Sequence, residues 1–226
     1  MLFLLKRGEA LHKLPIKQKR MLQYFIEATQ HVIDRDGFDN VTIRKISEEA
    51  GYNSATLYNY YEDLEHLLQF ACVEYLINYQ NKLIEEIKDL TSPRDIYFAT
   101  WTLFARECYN HPKVFYQLFF SKHKNKIYKT FYRYVELFDV RYENLPTQKI
   151  FSFITLPDLA QRHIILLESL ALGGFIDGGH IEQKANMLLM ILESMLNSAR
   201  FDKSEYSKDQ FVDRIIAYSK ILLNLE

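Results

Sequence analysis

Seven glycines, five prolines and two cysteines are few for 226 residues, and each shortage excludes something. With few chain breakers and no runs of alternating β-branched residues, the expected fold is all-α. Cys72 and Cys108 lie far apart and match neither a metal-ligand spacing nor a disulfide framework, so a reduced, cytoplasmic setting is expected. No stretch reaches the length of a membrane span: the apolar run 164–167 is interrupted at Glu168. The apolar opening 1–5 is too short for a signal-peptide core, and Lys6 and Arg7 follow it rather than precede it. Motifs of catalysis are missing too. There is no glycine-rich phosphate loop, no nucleophile elbow and no His-Glu-x-x-His helix, and the seven histidines are scattered. The expectation is a protein that is not an enzyme and holds neither metal nor cofactor.

What the chain does have is apolar residues at helical spacing. Hydrophobic residues make up 48% of it and charged residues 25%, which is the balance of a chain that folds. The net charge of −1 hides an uneven distribution. Between Lys6 and Arg20 six basic residues (Lys6, Arg7, Lys13, Lys17, Lys19, Arg20) face Glu9 alone, a segment suited to phosphate neutralisation or to solvation as a tail. A first helix is expected over 16–36, closed by Gly37. A long one is expected over 63–88, with Leu67, Leu68, Ala71, Leu76, Leu83 and Ile87 on its buried stripe. Further helices follow over 93–109, 114–120 and 127–140, with a less regular segment at 147–156. Two strongly apolar helices, 159–173 and 181–199, flank a glycine-rich connection, and an amphipathic helix closes the chain over 208–225. A helix apolar nearly all round must be buried on more than one side, so one side can face a second subunit.

The stretch 42–61 combines a structural signature with a chemistry. Thr42 is a good N-cap, and Ile43, Ile46 and Ala50 lie on one face of a short helix. Gly51 suits the left-handed backbone of a tight inter-helix turn. Asn53 is a second N-cap, opening a segment in which Leu57 packs inward while Ser54, Ala55, Thr56, Tyr58 and Asn59 point outward. Small and hydrogen-bonding outward residues suit a helix lying in the DNA major groove, as in a helix-turn-helix. Two short helices joined through glycine also occur in ordinary helical cores, so spacing alone leaves both readings open.

The surrounding residues resemble the DNA-binding domain of the tetracycline-repressor (TetR/AcrR) family. The resemblance runs from about 22 to 68, through Ala28, Gly37-Phe38-Asp39-Asn40-Val41-Thr42, Ile46-Ser47-Glu48-Glu49-Ala50-Gly51, Ala55-Thr56-Leu57-Tyr58-Asn59-Tyr60-Tyr61 and Leu67-Leu68. It implies a basic N-terminal extension (1–15), a three-helix helix-turn-helix domain (16–62) and a helical effector-binding and dimerisation domain (63–226). It also implies a transcriptional regulator, a ligand-responsive repressor that binds a palindromic operator on double-stranded DNA as a homodimer. The candidate DNA contacts are Lys17, Thr42, Arg44, Lys45, Ser54, Ala55, Thr56, Tyr58, Asn59 and Tyr60. Among them Tyr58 and Tyr60 match positions that touch phosphates in the family, and Arg44 matches one from which an arginine reaches DNA. Tyr61 is expected in the core. In one respect the chain departs from the pattern. Leu64 stands where the family has a lysine, among the acids Glu62, Asp63 and Glu65, which leaves open an interaction protein with weak or lost operator binding that acts through a protein partner.

For the second domain, the resemblance implies a small-molecule effector. Trp101, Phe104, Phe119, Tyr128, Phe131 and Tyr132 are the candidate lining of a cavity for an apolar or aromatic ligand, with plain core packing the alternative for each. Arg106, Glu107, Arg133 and His163 are candidates to orient it. The two apolar helices near the C-terminus match the elements of the family's dimer interface.

Overall fold

The structure, a computed structural model, describes residues 15–142, 152–201 and 206–225. The basic residues before position 15 and residues 147–151 of the less regular segment lie outside them. Among the described residues the chain forms ten α-helices and no strand, which makes it all-α. It divides into two compact units, residues 1–62 and 63–226.

In the first unit, α1 (Ile16–Asp36) buries Leu22, Phe25, Ile26, Ala28, Val32 and Ile33 along one face. Gly37 ends it at φ 83°, donating its N–H to the Ile33 carbonyl. α2 (Ile43–Ala50) starts where the Thr42 side chain accepts from the Lys45 N–H, at 3.2 Å. It stops at Gly51, at φ 73° and ψ 27°, a left-handed conformation in which the Gly51 N–H donates to the Glu48 carbonyl and the Tyr52 N–H to the Ser47 carbonyl. α3 (Ser54–Tyr58) follows, capped by Asn53, whose side chain accepts from the Thr56 N–H at 2.9 Å. Ile46, Leu57 and Tyr61 complete the core, and the Tyr61 hydroxyl donates to the Leu22 carbonyl at 2.8 Å, which places Tyr61 inside as expected. Ile43 and Ala50 are only half-buried; Ser47 instead joins Ile46 in the buried face of α2.

The second unit holds α4 (Leu64–Ile87), α5 (Pro93–Asn110), α6 (Pro112–Phe119), α7 (Ile127–Phe138), α8 (Leu159–Leu172), α9 (Ile181–Ala199) and α10 (Lys208–Leu223). α4 packs against α5, α6 and α7; α8 packs on α5 and α9, and α10 on α5 and α9. Several helix ends differ from the sequence expectation by one or two residues, and two of them have a plain local reason. α6 begins two residues early because Pro112 at the first helical position needs no N–H partner. α7 stops at Phe138 because Asp139 takes a left-handed conformation, φ 48°.

Candidate nucleic-acid interface and ligand region

In the first unit an ionic clamp fixes α2 on α1. Arg35 reaches Asp36 at 2.9 Å and Glu49 at 2.6 Å, Lys45 reaches Asp36 at 2.8 Å, and His31 lies 3.5 Å from Glu49. Arg35 and then Lys45 hold the Asp36 carboxyl at about 2, below the usual carboxylate range. These groups face water, so each pair is weak, but together they orient the short α2. Sequence spacing did not reveal this clamp, because its members come from two helices.

The candidate contacts fall on three local structures. Thr42, Arg44 and Lys45 form the cap and first turn of α2, and Ser54, Ala55, Thr56, Tyr58, Asn59 and Tyr60 make up α3 and its C-terminal end. Lys17 is exposed in the first turn of α1, close in sequence to Lys19 and Arg20 and with no acid beside them in that turn. A helix N-terminus disfavours cations and favours anions, so this end of α1 suits a phosphate better than it suits itself.

Exposure separates available groups from committed ones. Tyr58 is 55% exposed, Ala55 and Asn59 are exposed, and the Arg44 side chain stands out with its guanidinium 2.8 Å from Glu48. Ser54 is half-buried. Thr56 already donates its hydroxyl to the Asn53 side chain at 2.9 Å, so toward DNA it can only accept. The Lys45 ammonium belongs to the clamp on Asp36, and the half-buried Tyr60 ring lies 6.4 Å from Phe25. Backbone N–H groups are thus capped from inside while Arg44, Ala55, Tyr58 and Asn59 face outward, which is the arrangement of a reading helix.

At the start of α4, Asp63 and Glu65, the acids flanking Leu64, are engaged within the second unit. Asp63 caps the helix by accepting from the His66 N–H at 2.8 Å. Its carboxylate also meets Lys122 at 3.0 Å and His123 Nε2 at 3.0 and 3.1 Å. The hydrogen bonds from His66, Lys122 and His123 outweigh the desolvation and keep it at about 2. A turn further on, Gln69 donates to the carbonyls of Leu118 and His123 and accepts from Thr130, while Gln117 donates to the Glu65 carbonyl. The first turns of α4 are therefore bolted to α6, to the turn after it and to α7. None of Gln69, Gln117, His123 and Thr130 was singled out from sequence. Their signal is a polar residue inside an otherwise apolar stripe, as at Gln69 between Leu68 and Phe70.

The six aromatic candidates separate into two groups. Trp101, Phe104 and Phe119 are buried in one cluster with Tyr79 and Phe115, their rings edge-on at 5.2 to 6.0 Å. Phe131 is buried on α7, but Tyr128 and Tyr132 are only half-buried, stacked on one another, and the Tyr128 hydroxyl bonds Gln161 at 2.6 Å. Of the proposed orienting residues, Arg106 is exposed and Arg133 half-buried, Glu107 is buried and paired with Lys82 at 2.8 Å, and His163 is buried against Trp101 with ring centroids 4.6 Å apart. Among the described residues the crevice lined by Trp101, Leu188, Ile191, Ile215 and Ser219 is too narrow to admit a water molecule, so it is not a formed small-molecule site. Both cysteines are buried, with their thiols pushed up by burial. Among the described residues no helix is long and apolar enough to cross a membrane, and no cluster of His, Cys, Asp and Glu suits a metal ion.

Capped short helices, a left-handed glycine between them and an outward-facing second helix define a helix-turn-helix protein. Residues 25–69 match the family model described as bacterial regulatory proteins, tetR family, and this match supports a regulator of that kind. The fold extends the likeness along the chain. The Thermus thermophilus FadR, a TetR-family transcriptional repressor in complex with lauroyl-CoA, superposes with a TM-score of 0.60 at 14% identity, covering 89% of this chain and 93% of that one. A TetR-family regulator from Syntrophomonas wolfei gives 0.58 at 14% identity, covering 91% and 96%. Bacillus subtilis FadR in complex with stearoyl-CoA gives 0.53 at 14% identity, covering 89% and 97%. At such identities the superpositions speak for the fold alone. A comparison with curated protein sequences returned no match.

Proposed function

We propose that the protein is a homodimeric, ligand-responsive transcriptional repressor that reads a palindromic operator through α3. The observation that carries this reading is the outward face of α3 and of the first turn of α2, where Arg44, Ala55, Tyr58 and Asn59 stand exposed on a scaffold whose backbone donors are already capped. Ala55 suits a thymine methyl and Asn59 an adenine edge; Arg44, Tyr58 and the α1 start at Lys17 suit phosphates. Thr42, Lys45, Ser54, Thr56 and Tyr60 support this surface from behind and join the contact at its margin.

A helix of five residues covers only a few base pairs, so specificity calls for two copies on a symmetric site. The surface for pairing is the outer face of α8 and α9. Leu172, Met187 and Met190 are 91%, 50% and 68% exposed, and Ile164, Ile165 and Met195 on the same two helices are half-buried. Apolar side chains left exposed on two packed helices suit an interaction site.

The second unit serves as the effector domain. The interior around Trp101, Phe104, Phe119 and Phe131 opens when an apolar or aromatic ligand displaces side chains. The resulting shift of α6 and α7 pulls on the start of α4 through Asp63, Gln69 and Gln117. Ligand then favours the state with weaker affinity for DNA, a population shift. The reading as a partner-binding protein without operator affinity rested on the acids beside Leu64. Asp63 speaks against it, since its carboxylate is paired with Lys122 and hydrogen-bonded to His123.

The test is selection of a genomic fragment library at modest salt with wild type, Tyr58→Ala and Arg44→Ala. An enriched palindrome that both variants fail to select supports the reading. A folded dimer that enriches no site contradicts it.

A further inference from the structure

One buried cation of the second unit makes no ion pair among the described residues. Arg162 on α8 is 2% exposed, and its Nη1 has no hydrogen-bond partner. Its guanidinium lies over the Tyr79 ring, 4.9 Å from the centroid. Among the described residues the one buried carboxylate is Glu107, which acts on the same Tyr79 and Cys108 but makes its ion pair with Lys82, at 2.8 Å. A buried charge without a partner is strongly unfavourable, and a cation–π contact offsets only part of that.

The surroundings repeat the pattern. Gln80, next to Tyr79 on α4 and fully buried, gives its carbonyl oxygen to the Tyr142 hydroxyl and leaves its Nε2 without an acceptor. Gln80 follows Tyr79 in α4, and the Arg162 guanidinium lies over the Tyr79 ring, so the amide and the guanidinium belong to the same stretch of α4 and α8. Among the described residues two sets of N–H donors therefore lack acceptors. Next to them begins the aromatic cluster of Tyr79, Phe104 and Trp101, packed edge-on. A trapped water would accept from the donors but would leave the positive charge unbalanced.

We propose that Arg162 is the recognition point for the acid head group of the effector, an amphiphile with a carboxylate or phosphate head and an apolar body. The guanidinium takes two oxygens of the head in the fork geometry that suits planar acids, and the Gln80 amide donates a further bond. The apolar body displaces rings of the Tyr79–Phe104–Trp101 cluster. A neutral ligand of the same shape would leave the buried cation as it is, so selectivity for the charged head is built in. This inference rests on reading the second unit as an effector domain, and it assigns that effector a charge.

Trp101 is the one tryptophan in the chain, and its fluorescence reports on the site directly. The full-length protein is titrated, below the micelle concentration of each probe, with dodecanoate, dodecyl phosphate and dodecan-1-ol; Arg162→Met and Arg162→Lys are treated alike. Wild type is expected to bind at least one acid about tenfold or more tightly than the alcohol, and the preferred acid tells carboxylate from phosphate. Arg162→Met should bind acid and alcohol with equal affinity, and Arg162→Lys should fall between. Without ligand, Arg162→Met should melt at or above wild type, because an uncompensated charge has gone. Equal binding of acid and alcohol by wild type, absence of acid binding, acid preference retained in Arg162→Met, or a ligand-free Arg162→Met that melts well below wild type would each overturn the proposal. No DNA enters these measurements, so failure of operator selection and failure of the acid site are read separately.

Discussion

Single residues set the turn on which the reading helix depends, and they also set the acid limit of the second unit. At Gly51 the backbone is left-handed, with open space where a Cβ would stand, so an alanine there meets strain and no clash. Gly51→Ala should lower the stability of the first unit by about 1 kcal/mol, read as a shift of the urea midpoint at unchanged slope. His163 behaves differently. Burial against Trp101 pushes it down to about 3 from an ordinary value near 6.5. In the unfolded chain it takes a proton below about 6.5, while in the folded chain it stays neutral down to about 3. Its contribution is therefore intact above pH 6.5 and is lost as pH falls through that window, at about 1.4 kcal/mol per unit. Between pH 6.5 and 5, wild type should lose about 2 kcal/mol more than His163→Met in urea titrations. Equal losses would show that His163 is not held neutral.

At the scale of elements, the short helices were legible in the sequence because their ends are local. Thr42, Asn53 and Gly51 act within three residues of themselves, and each does in the structure what its chemistry implies. The apolar stripes of α1 and α4 likewise follow from spacing alone. Tertiary polar contacts were not legible. The clamp of Arg35, Asp36, Lys45 and Glu49 joins two helices, and the bolts at Asp63, Gln69 and Gln117 join α4 to residues about fifty positions away. Arg162 was not among the sequence candidates, although Leu159, Leu166 and Leu170 at helical spacing place it on the buried face of α8. The bolts matter energetically because they satisfy buried carbonyls. Gln69→Leu leaves the Thr130 hydroxyl and two carbonyls without their partner, and it should lower the stability of the second unit by about 1–3 kcal/mol in thermal or urea melts. A neutral outcome would mean that water replaces the amide.

For the whole molecule, the account joins a DNA-reading unit, an effector unit and a self-associating face. The apolar outer side of α9 is the part most open to attack without disturbing the fold, since Met190 is 68% exposed in the single chain. Met190→Glu should leave the helical content unchanged and shift the protein from dimer to monomer in sedimentation, because a carboxylate would be buried unpaired at the contact. A dimer that survives the charge would place the interface elsewhere. Symmetric pairing in turn makes a demand on the DNA. Two reading helices held at a fixed separation accept only one spacing between half-sites. The most direct test of the account is the affinity of the full-length protein for its selected palindrome, compared with the same site carrying an insertion of about five base pairs, half a helical turn, between the half-sites. The account predicts a loss of affinity of about a hundredfold or more on insertion, toward the non-specific level. Affinity unchanged by the insertion would contradict it, since the protein would then not be reading DNA as a symmetric pair of α3 helices.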